Sequence, residues 1–222
     1  ESFGNRYNLK FVLLALFGAA MGQGVVWYTG QFYSMSFMKT VMHLASDQAD
    51  TILGIALLLG TPFFVVFGWL SDKIGRKWIM LGGMLLAVLT YRPIYESMYQ
   101  LSNVQQKTKL DETTLPPSQQ NSTIITVTKS QFDDGTELTN SKIQHQEGGL
   151  KGKETIKTTV HLTGKNYILL IALIFIQVIY ITMVYGPIAA FLVELFPVKI
   201  RYTSMSLPYH VGNGIFGGLL SA

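Results

Sequence analysis

The stretch 68–77 concentrates three cations and one acid in its last six residues, between two runs, 51–71 and 78–91, that carry no formal charge. Apolar runs favour membrane-spanning helices, which need about 20 such residues. Because the second run is shorter, we expect its helix to continue past Arg92. Cation-rich connections are held on the cytoplasmic side of a membrane. We therefore predict a tight cytoplasmic hairpin between two membrane helices, and this hairpin orients all other segments.

The composition supports a membrane protein diluted by a polar part. Hydrophobic residues make up 49% of the chain and charged residues 14%, about half the charged fraction usual in soluble domains. The net charge of +4 gives no reason to expect a nucleic-acid partner. The absence of cysteine excludes disulfides, thiolate metal sites and cysteine nucleophiles. No metal spacing and no set of nucleophile, base and acid is present, so we expect no metal, no cofactor and no enzyme.

The uncharged runs predict an all-α polytopic membrane protein whose main partner is the lipid bilayer. About five membrane helices are expected, at 11–38, 51–71, 78–97, 166–193 and 203–222. Residues 1–10 and the loop 194–201 carry cations beside these runs and are predicted to be cytoplasmic. The chain does not begin with Met and stops within an apolar run, so we expect a fragment cut at both ends.

The segment 99–165 is polar and rich in Gln, Thr and Lys, which predicts a soluble insert on the outer face of the membrane. Two stretches in it, 123–128 and 155–162, have β-branched residues in partial alternation. The run 133–135 is a turn signal. Because aromatic residues are few, the composition fits either a small element of short β-strands or partial disorder.

The first predicted span carries polar side chains at membrane depth. Amides and hydroxyls placed there must face a partner or a cavity. We give equal weight to a polar substrate pathway and to interhelical hydrogen bonds combined with an aromatic belt. The candidate pathway residues of this span are Gln23, Tyr28, Gln31 and Tyr33.

The last two predicted spans contain helix-breaking residues. Gly186 and Pro187 should bend or break the fourth span, because proline removes a backbone hydrogen bond and clashes one turn back. The fifth span contains Pro208, a candidate hinge residue like Gly186 and Pro187, and two candidate pathway residues, His210 and Asn213. This pattern indicates either a moving, ligand-facing element or a close-packed helix with a buried histidine.

The ten residues 68–77 match, position for position, the G-x-L-[SA]-D-[RK]-x-G-R-[RK] signature of the major facilitator superfamily. In addition, 185–187 and 194–197 followed by Arg201 look like the junction between the tenth and eleventh helices of its carriers. The stretches 22–33 and 194–218 resemble the metabolite:H⁺ symporters within that superfamily.

This resemblance covers 9–95 and 165–222 and implies helices seven to eleven of a twelve-helix carrier. The chain would then be a carboxy-terminal helix bundle whose partner is the missing amino-terminal half of the same carrier. Two features depart from the family pattern. The stretch 96–165 is longer than the usual connection, and no carboxylate lies at mid-membrane, since Asp72 and Glu194 both fall at the surface. We therefore expect the proton-coupling site to lie outside this fragment.

The resemblance implies alternating access around a midplane site. The expected activity is proton-coupled symport of a small organic acid or zwitterionic osmolyte across the cytoplasmic (inner) membrane of a bacterium. The implied gating and signature residues are Gly68, Asp72, Gly75, Arg76, Lys77, Glu194 and Arg201. For Lys73 and Lys77 a simple positive-inside role is sufficient.

A membrane-anchored binding or sensory protein that acts through 99–165 is the competing interpretation. It predicts that this segment binds a ligand or partner by itself. An anchor needs neither a polar lining in 11–38 nor two charged cytoplasmic hairpins. The sequence therefore favours transport.

Overall fold

The structure, a computed structural model, describes residues 6–120, 123–145, 154–198 and 200–217. Four of its helices are long and apolar enough to cross a membrane: Asn8–Thr40, Ser46–Ile74, Arg76–Ser102 and Gly164–Leu195. The shortest has 27 residues and would extend about 40 Å, against a hydrocarbon core of about 30 Å. The prediction of long apolar helices is confirmed for these four.

The first long helix is built from three α-helical segments joined by two π-helical turns. The segments are α1 (Arg6–Ala15), α2 (Met21–Tyr28) and α3 (Ser34–Thr40), and the turns are Leu16–Ala20 and Thr29–Tyr33. A π-helical turn accommodates an extra residue and is frequent at functional sites. The two turns therefore change which side chains the helix presents to its neighbours.

Helices α4 (Ser46–Ile74) and α5 (Arg76–Ser102) are joined by one residue, Gly75. Gly75 has a φ of +106°, which residues with a side chain rarely adopt. Its amide donates to the carbonyl of Ser71 at 3.0 Å and so closes α4. This glycine makes the tight hairpin predicted at 68–77 possible.

Helix α6 (Gly164–Leu195) is continuous, and α7 (Arg201–Val211) is followed by a third π-helical turn, Gly212–Gly217. Gly186 and Pro187 lie within α6 without breaking it. The lost hydrogen bond is tolerated because the bonds of the flanking turns remain. The end of the fifth predicted span, 218–222, lies outside the described residues.

One compact unit consists of the described parts of Glu1–Met35, Leu53–Ile94 and Ala172–Ala222. Its best-defined core cluster joins residues of α1, the first π-helical turn, α5, α6 and the residue that follows α6. The members are Val12, Ala15, Ala19, Met80, Ile188, Leu192 and Phe196. This cluster packs the start of the first helix against the end of α6.

The second compact unit, Ser36–Ile52 and Tyr95–Ile171, contains an antiparallel β-sheet. Its strands are β1 (Lys109–Thr114), β2 (Ser118–Gln120), β3 (Thr123–Phe132), β4 (Glu137–His145) and β5 (Glu154–His161). The sheet order is β1-β3-β4-β5, and the short β2 also pairs with β3. The expected short strands in 99–165 are thus confirmed.

The edge of β5 pairs with the loop that follows α3. Val160 donates its amide to the carbonyl of His43 at 2.8 Å and accepts from the amide of Ala45 at 3.1 Å. The amide side chain of Gln48 makes two further bonds to the backbone of Leu162, at 2.7 and 2.9 Å. Because these bonds satisfy edge groups of the sheet, they hold the sheet on the start of α4.

Asp134, in the turn between β3 and β4, connects the sheet to two helix ends of the same unit. Its carboxylate pairs with Lys107 at 2.6 Å and accepts from the side chain of Asn166 at 2.6 Å. Lys107 also donates to the carbonyl of Leu101 at 2.6 Å and to the Thr136 hydroxyl. The turn is thereby fastened to the end of α5 and to the start of α6.

Candidate functional site

The charged connection between α4 and α5 is centred on Arg76. Its guanidinium lies 2.9 Å from a carboxylate oxygen of Asp72 and 2.6 Å from one of Glu194. Asp72 is in the last turns of α4 and Glu194 in the last turn of α6, so one cation joins three helices. Three of the predicted gating residues are therefore in direct contact.

Arg201 is not joined to this cluster by an ion pair with a described residue. Its Nε donates to the carbonyl of Phe196 at 3.2 Å and so satisfies a backbone acceptor just beyond α6. The two lysines of the stretch 68–77 interact with aromatic rings instead of acids. Lys73 lies 3.9 Å from the ring centre of Trp69, and Lys77 lies 5.9 Å from that of Trp78.

The helices α4 and α6 approach closely beside this cluster. A Cβ added at Gly186 would lie 3.2 Å from the carbonyl oxygen of Phe64 and 3.5 Å from the amide nitrogen of Gly68. A Cβ at Gly68 itself would meet nothing within 4 Å. The close approach of the two helices therefore depends on Gly186, a predicted hinge residue, and not on Gly68.

A polar cluster lies between the first helix and the helix formed by α7 and its π-helical turn. Gln23 is 1% exposed, and its amide donates to the side-chain oxygen of Asn213 at 2.9 Å. Asn213 in turn donates to the carbonyl of Tyr209 at 2.9 Å. The carbonyl oxygen Oε1 of Gln23 is buried and has no hydrogen-bond partner among the described residues. Two predicted pathway residues are thus in contact, and one retains an unused acceptor.

Two tyrosines and a tryptophan extend this cluster towards α6. The hydroxyls of Tyr185 and Tyr209 lie 2.9 Å apart, and the ring centres of Tyr185 and Trp27 lie 4.6 Å apart. The cluster thus combines amides, hydroxyls and aromatic faces without a formal charge. Such a surface can bind a small polar solute through hydrogen bonds and ring contacts.

The other candidates of the first helix lie further along it. Tyr28 stacks on Phe32 with ring centres 5.0 Å apart, and Tyr33 is exposed. Gln31 lies in the second π-helical turn, and its Oε1 is buried without a described partner. These three candidates thus lie further along the helix than Gln23.

In α7, Pro208 is buried, whereas His210 is exposed and touches the ring of Tyr209. His210 is therefore not buried among the described residues of this chain. The ring centres of His210 and Tyr209 are 5.8 Å apart. His210 is thus adjacent to the polar cluster through Tyr209 but makes no described hydrogen bond to it.

The sequence did not single out the residues that bring the first helix against α7. A Cβ at Gly24 would lie 2.9 Å from the carbonyl oxygen of Gly212, and one at Gly212 would lie 2.6 Å from Cβ of Ala20. This backbone contact holds Gln23 opposite Asn213. A second buried pair, Ser34 and Gln177, is joined at 2.9 Å. The only sequence signal for these residues is small or polar side chains within apolar runs.

Groups of His, Asp and Glu that could hold a metal ion are absent from the described part of the chain. Comparisons with protein-family models, with curated proteins and with solved structures give no match to this chain.

Proposed function

We propose that the chain is part of a secondary transporter that moves a small polar solute by alternating access. The observation that carries this proposal is the uncharged polar cluster of Gln23, Asn213, Tyr185 and Tyr209, in which Gln23 is buried and keeps one unused acceptor while the other three side chains are partly buried. Gln23 lies near the middle of the helix Asn8–Thr40. Polar groups at that depth are costly unless they have partners or contact a transported solute.

The Arg76 cluster supports the same proposal. It lies where α4, α5 and α6 meet. Its ion pairs can break without leaving an acidic group unpaired in the protein interior, because Asp72 and Glu194 are exposed. Such pairs suit a gate that closes in one state and opens in the other. In this proposal the helices span a bacterial inner membrane. The Arg76 end faces the cytoplasm, and the segment 99–165 lies on the outer side.

Further parts of the proposal rest on the resemblance of 68–77 and 194–218 to major facilitator carriers. In these parts, the carrier is a metabolite:H⁺ symporter, an amino-terminal half completes the pathway, and the proton-coupling site lies outside this chain. The solute would be a small organic acid or a zwitterion. The cluster around Gln23 is compatible with a zwitterion because amides accept and donate hydrogen bonds equally.

Uptake into cells that express the intact carrier tests this proposal. The labelled panel contains betaine, proline, 2-oxoglutarate, citrate and shikimate, each measured with and without a protonophore. We expect protonophore-sensitive uptake of one compound, and a loss of at least tenfold in Gln23→Leu at equal protein level. Ser36→Ala on the same helix is the matched control, and it should retain the uptake. No uptake of any compound by a membrane-located protein would count against the proposal.

The ordered sheet supports a second candidate, a binding or sensory function of 99–165. In that case the intact protein would take up no solute, and deletion of the sheet would abolish binding of its ligand or partner. A transporter should take up solute, and it should still do so after deletion of the sheet, because the polar cluster lies in the helices and not in the sheet.

A further inference from the structure

A groove follows the first helix at the end of the unit that carries Lys77. One part, of about 550 Å³, is lined by Arg6, Lys10, Leu14 and Gly18 among others. The adjoining part, of about 400 Å³, is lined by Leu14, Gly18 and Lys77 together with apolar residues of α5 and α6. The two parts adjoin at Leu14 and Gly18, which line both, and together they are called the groove.

The walls of this groove are apolar and open. Leu14 and Phe17 are 54% and 56% exposed, and a Cβ at Gly18 would meet nothing within 4 Å. Met80 and Met84 line the far wall, and methionine side chains adapt to irregular partners. From residue 6 to residue 18 the helix rises about 18 Å, close to the depth of one bilayer leaflet. The groove therefore has the length and chemistry of an acyl-chain site.

Three cations line the groove, Arg6 and Lys10 in its first part and Lys77 in the adjoining part. The nearest acidic residues of the α4–α5 hairpin and of α6, Asp72 and Glu194, are both paired with Arg76. Within the described ranges, none of the three groove cations forms an ion pair. An anion bound here would thus meet three uncompensated positive charges.

We propose that this groove binds an anionic phospholipid, with the phosphate at Arg6 and Lys10, one acyl chain along Leu14 and Gly18, and Lys77 as a further cation of the lining. A zwitterionic lipid would bring a fourth cation to the same place and is therefore disfavoured. A second copy of the chain, docked through the same face, would bring three cations against three cations. The site depends only on the helices lying in a bilayer and not on the transport proposal.

Native mass spectrometry of the full chain, purified in detergent and exposed to an equimolar mixture of phosphatidylglycerol and phosphatidylcholine, tests this site. We expect retention of phosphatidylglycerol in preference to phosphatidylcholine. The triple variant Arg6→Gln, Lys10→Gln, Lys77→Gln should lose about a hundredfold in phosphatidylglycerol affinity, from roughly fivefold per cation near an anionic surface. Gly18→Leu fills the groove without changing its charge and should also release the lipid.

The matched control removes three cations elsewhere, in Lys129→Gln, Lys157→Gln, Lys165→Gln, and should retain the lipid. Equal retention of the two lipids, or equal loss in the control, would overturn the proposal. A dimer that Gly18→Leu dissociates would also overturn it, in favour of a second copy in the groove. Thermal unfolding checks that each variant is folded. If the triple variant is unstable, Gly18→Leu decides the question alone.

Discussion

Each compact unit contains one cation that bridges several elements, and the two clusters differ in burial. In the helical unit, the side chain of Arg76 is 21% exposed, but those of Asp72 and Glu194 are 61% and 63% exposed. In the sheet-containing unit, the side chains of Lys107 and Asp134 are only 11% and 27% exposed. Exposed pairs contribute little to stability, whereas enclosed, hydrogen-bonded pairs are costly to break. The Arg76 cluster is thus suited to breaking and re-forming its ion pairs, and the Lys107–Asp134 cluster to stabilising the fold.

The largest effect should follow from breaking the enclosed cluster. Asp134→Ala leaves Lys107 without its ionic partner and removes the bonds from Asn166 and from the amide of Thr136. Because hydrogen bonds to charged groups are worth about 1.5–3 kcal/mol, we expect the free energy of unfolding to fall by roughly 3 kcal/mol. This corresponds to a fall in melting temperature of about 6–12 °C, measured in detergent.

Asp133→Ala is the matched control, because the exposed neighbour forms no side-chain ion pair with a described residue. Its melting temperature should stay within about 2 °C of the original. Equal effects of the two substitutions would show that Asp134 does not hold the turn on the helix ends.

The acid dependence of stability should identify the same carboxylate. Burial opposes its ionisation, but the hydrogen bonds from Lys107 and Thr136 and the charge of Lys107 prevail and lower the pKa of Asp134 from 3.8 to about 2. Because the folded-state pKa is depressed, the carboxylate stabilises the fold fully above about pH 4. This contribution is lost as the pH falls from 4 towards 2.

Melting temperatures between pH 5 and pH 2 measure this effect. Asp134→Asn should flatten the part of the profile between pH 4 and pH 2, while Asp133→Asn should leave it unchanged. An identical profile in the original chain and in Asp134→Asn would assign the acid sensitivity to other carboxylates.

Breaking the exposed cluster should change function more than stability. Arg76→Glu replaces two attractions with two repulsions, from Asp72 and Glu194. At roughly 0.2–1 kcal/mol for each exposed pair, the balance between two conformations shifts by about 1–2 kcal/mol, or about tenfold. Under the transport proposal, the uptake rate should fall about tenfold at unchanged protein level.

The exchange Arg76→Glu with Glu194→Arg restores one of the attractions and is the control for position. It should recover part of the uptake that Arg76→Glu loses. Native uptake in Arg76→Glu alone would exclude a gate at this cluster.

The sequence predicted those features of both units that depend on local patterns. The apolar runs predicted the four long helices, and the charged stretch 68–77 between two of them predicted the tight hairpin, because run length and charge are readable along the chain. The strands β3 and β5 followed from alternating β-branched residues. β1 is exposed at every position, so it lacks the alternation that marks a strand.

The contacts that define the candidate site were less predictable. Gln23 and Asn213 were each proposed for the pathway, but their pairing depends on the backbone contact of Gly24 with Gly212, which a local pattern does not contain. Tyr185 and Tyr209 were part of quoted motifs without an assigned role. The enclosed pair of Lys107 and Asp134 was not anticipated, because it joins a turn to a segment 27 residues away and depends on the register of the sheet.

The smallest effect on stability and uptake is expected for Lys73, a cation of the stretch 68–77 for which no ion pair to a described residue of another helix is seen. Lys73 is exposed and, among the described residues, contacts the ring of Trp69, 3.9 Å from its centre. Such a contact is worth about 0.5–1 kcal/mol at an exposed site. Lys73→Gln should therefore change the melting temperature by less than about 4 °C and uptake by less than about twofold, whereas Arg76→Gln, with the same loss of charge, should reduce uptake several-fold. Equal losses in the two variants would mean that total positive charge, and not the bridge between helices, determines what this connection does.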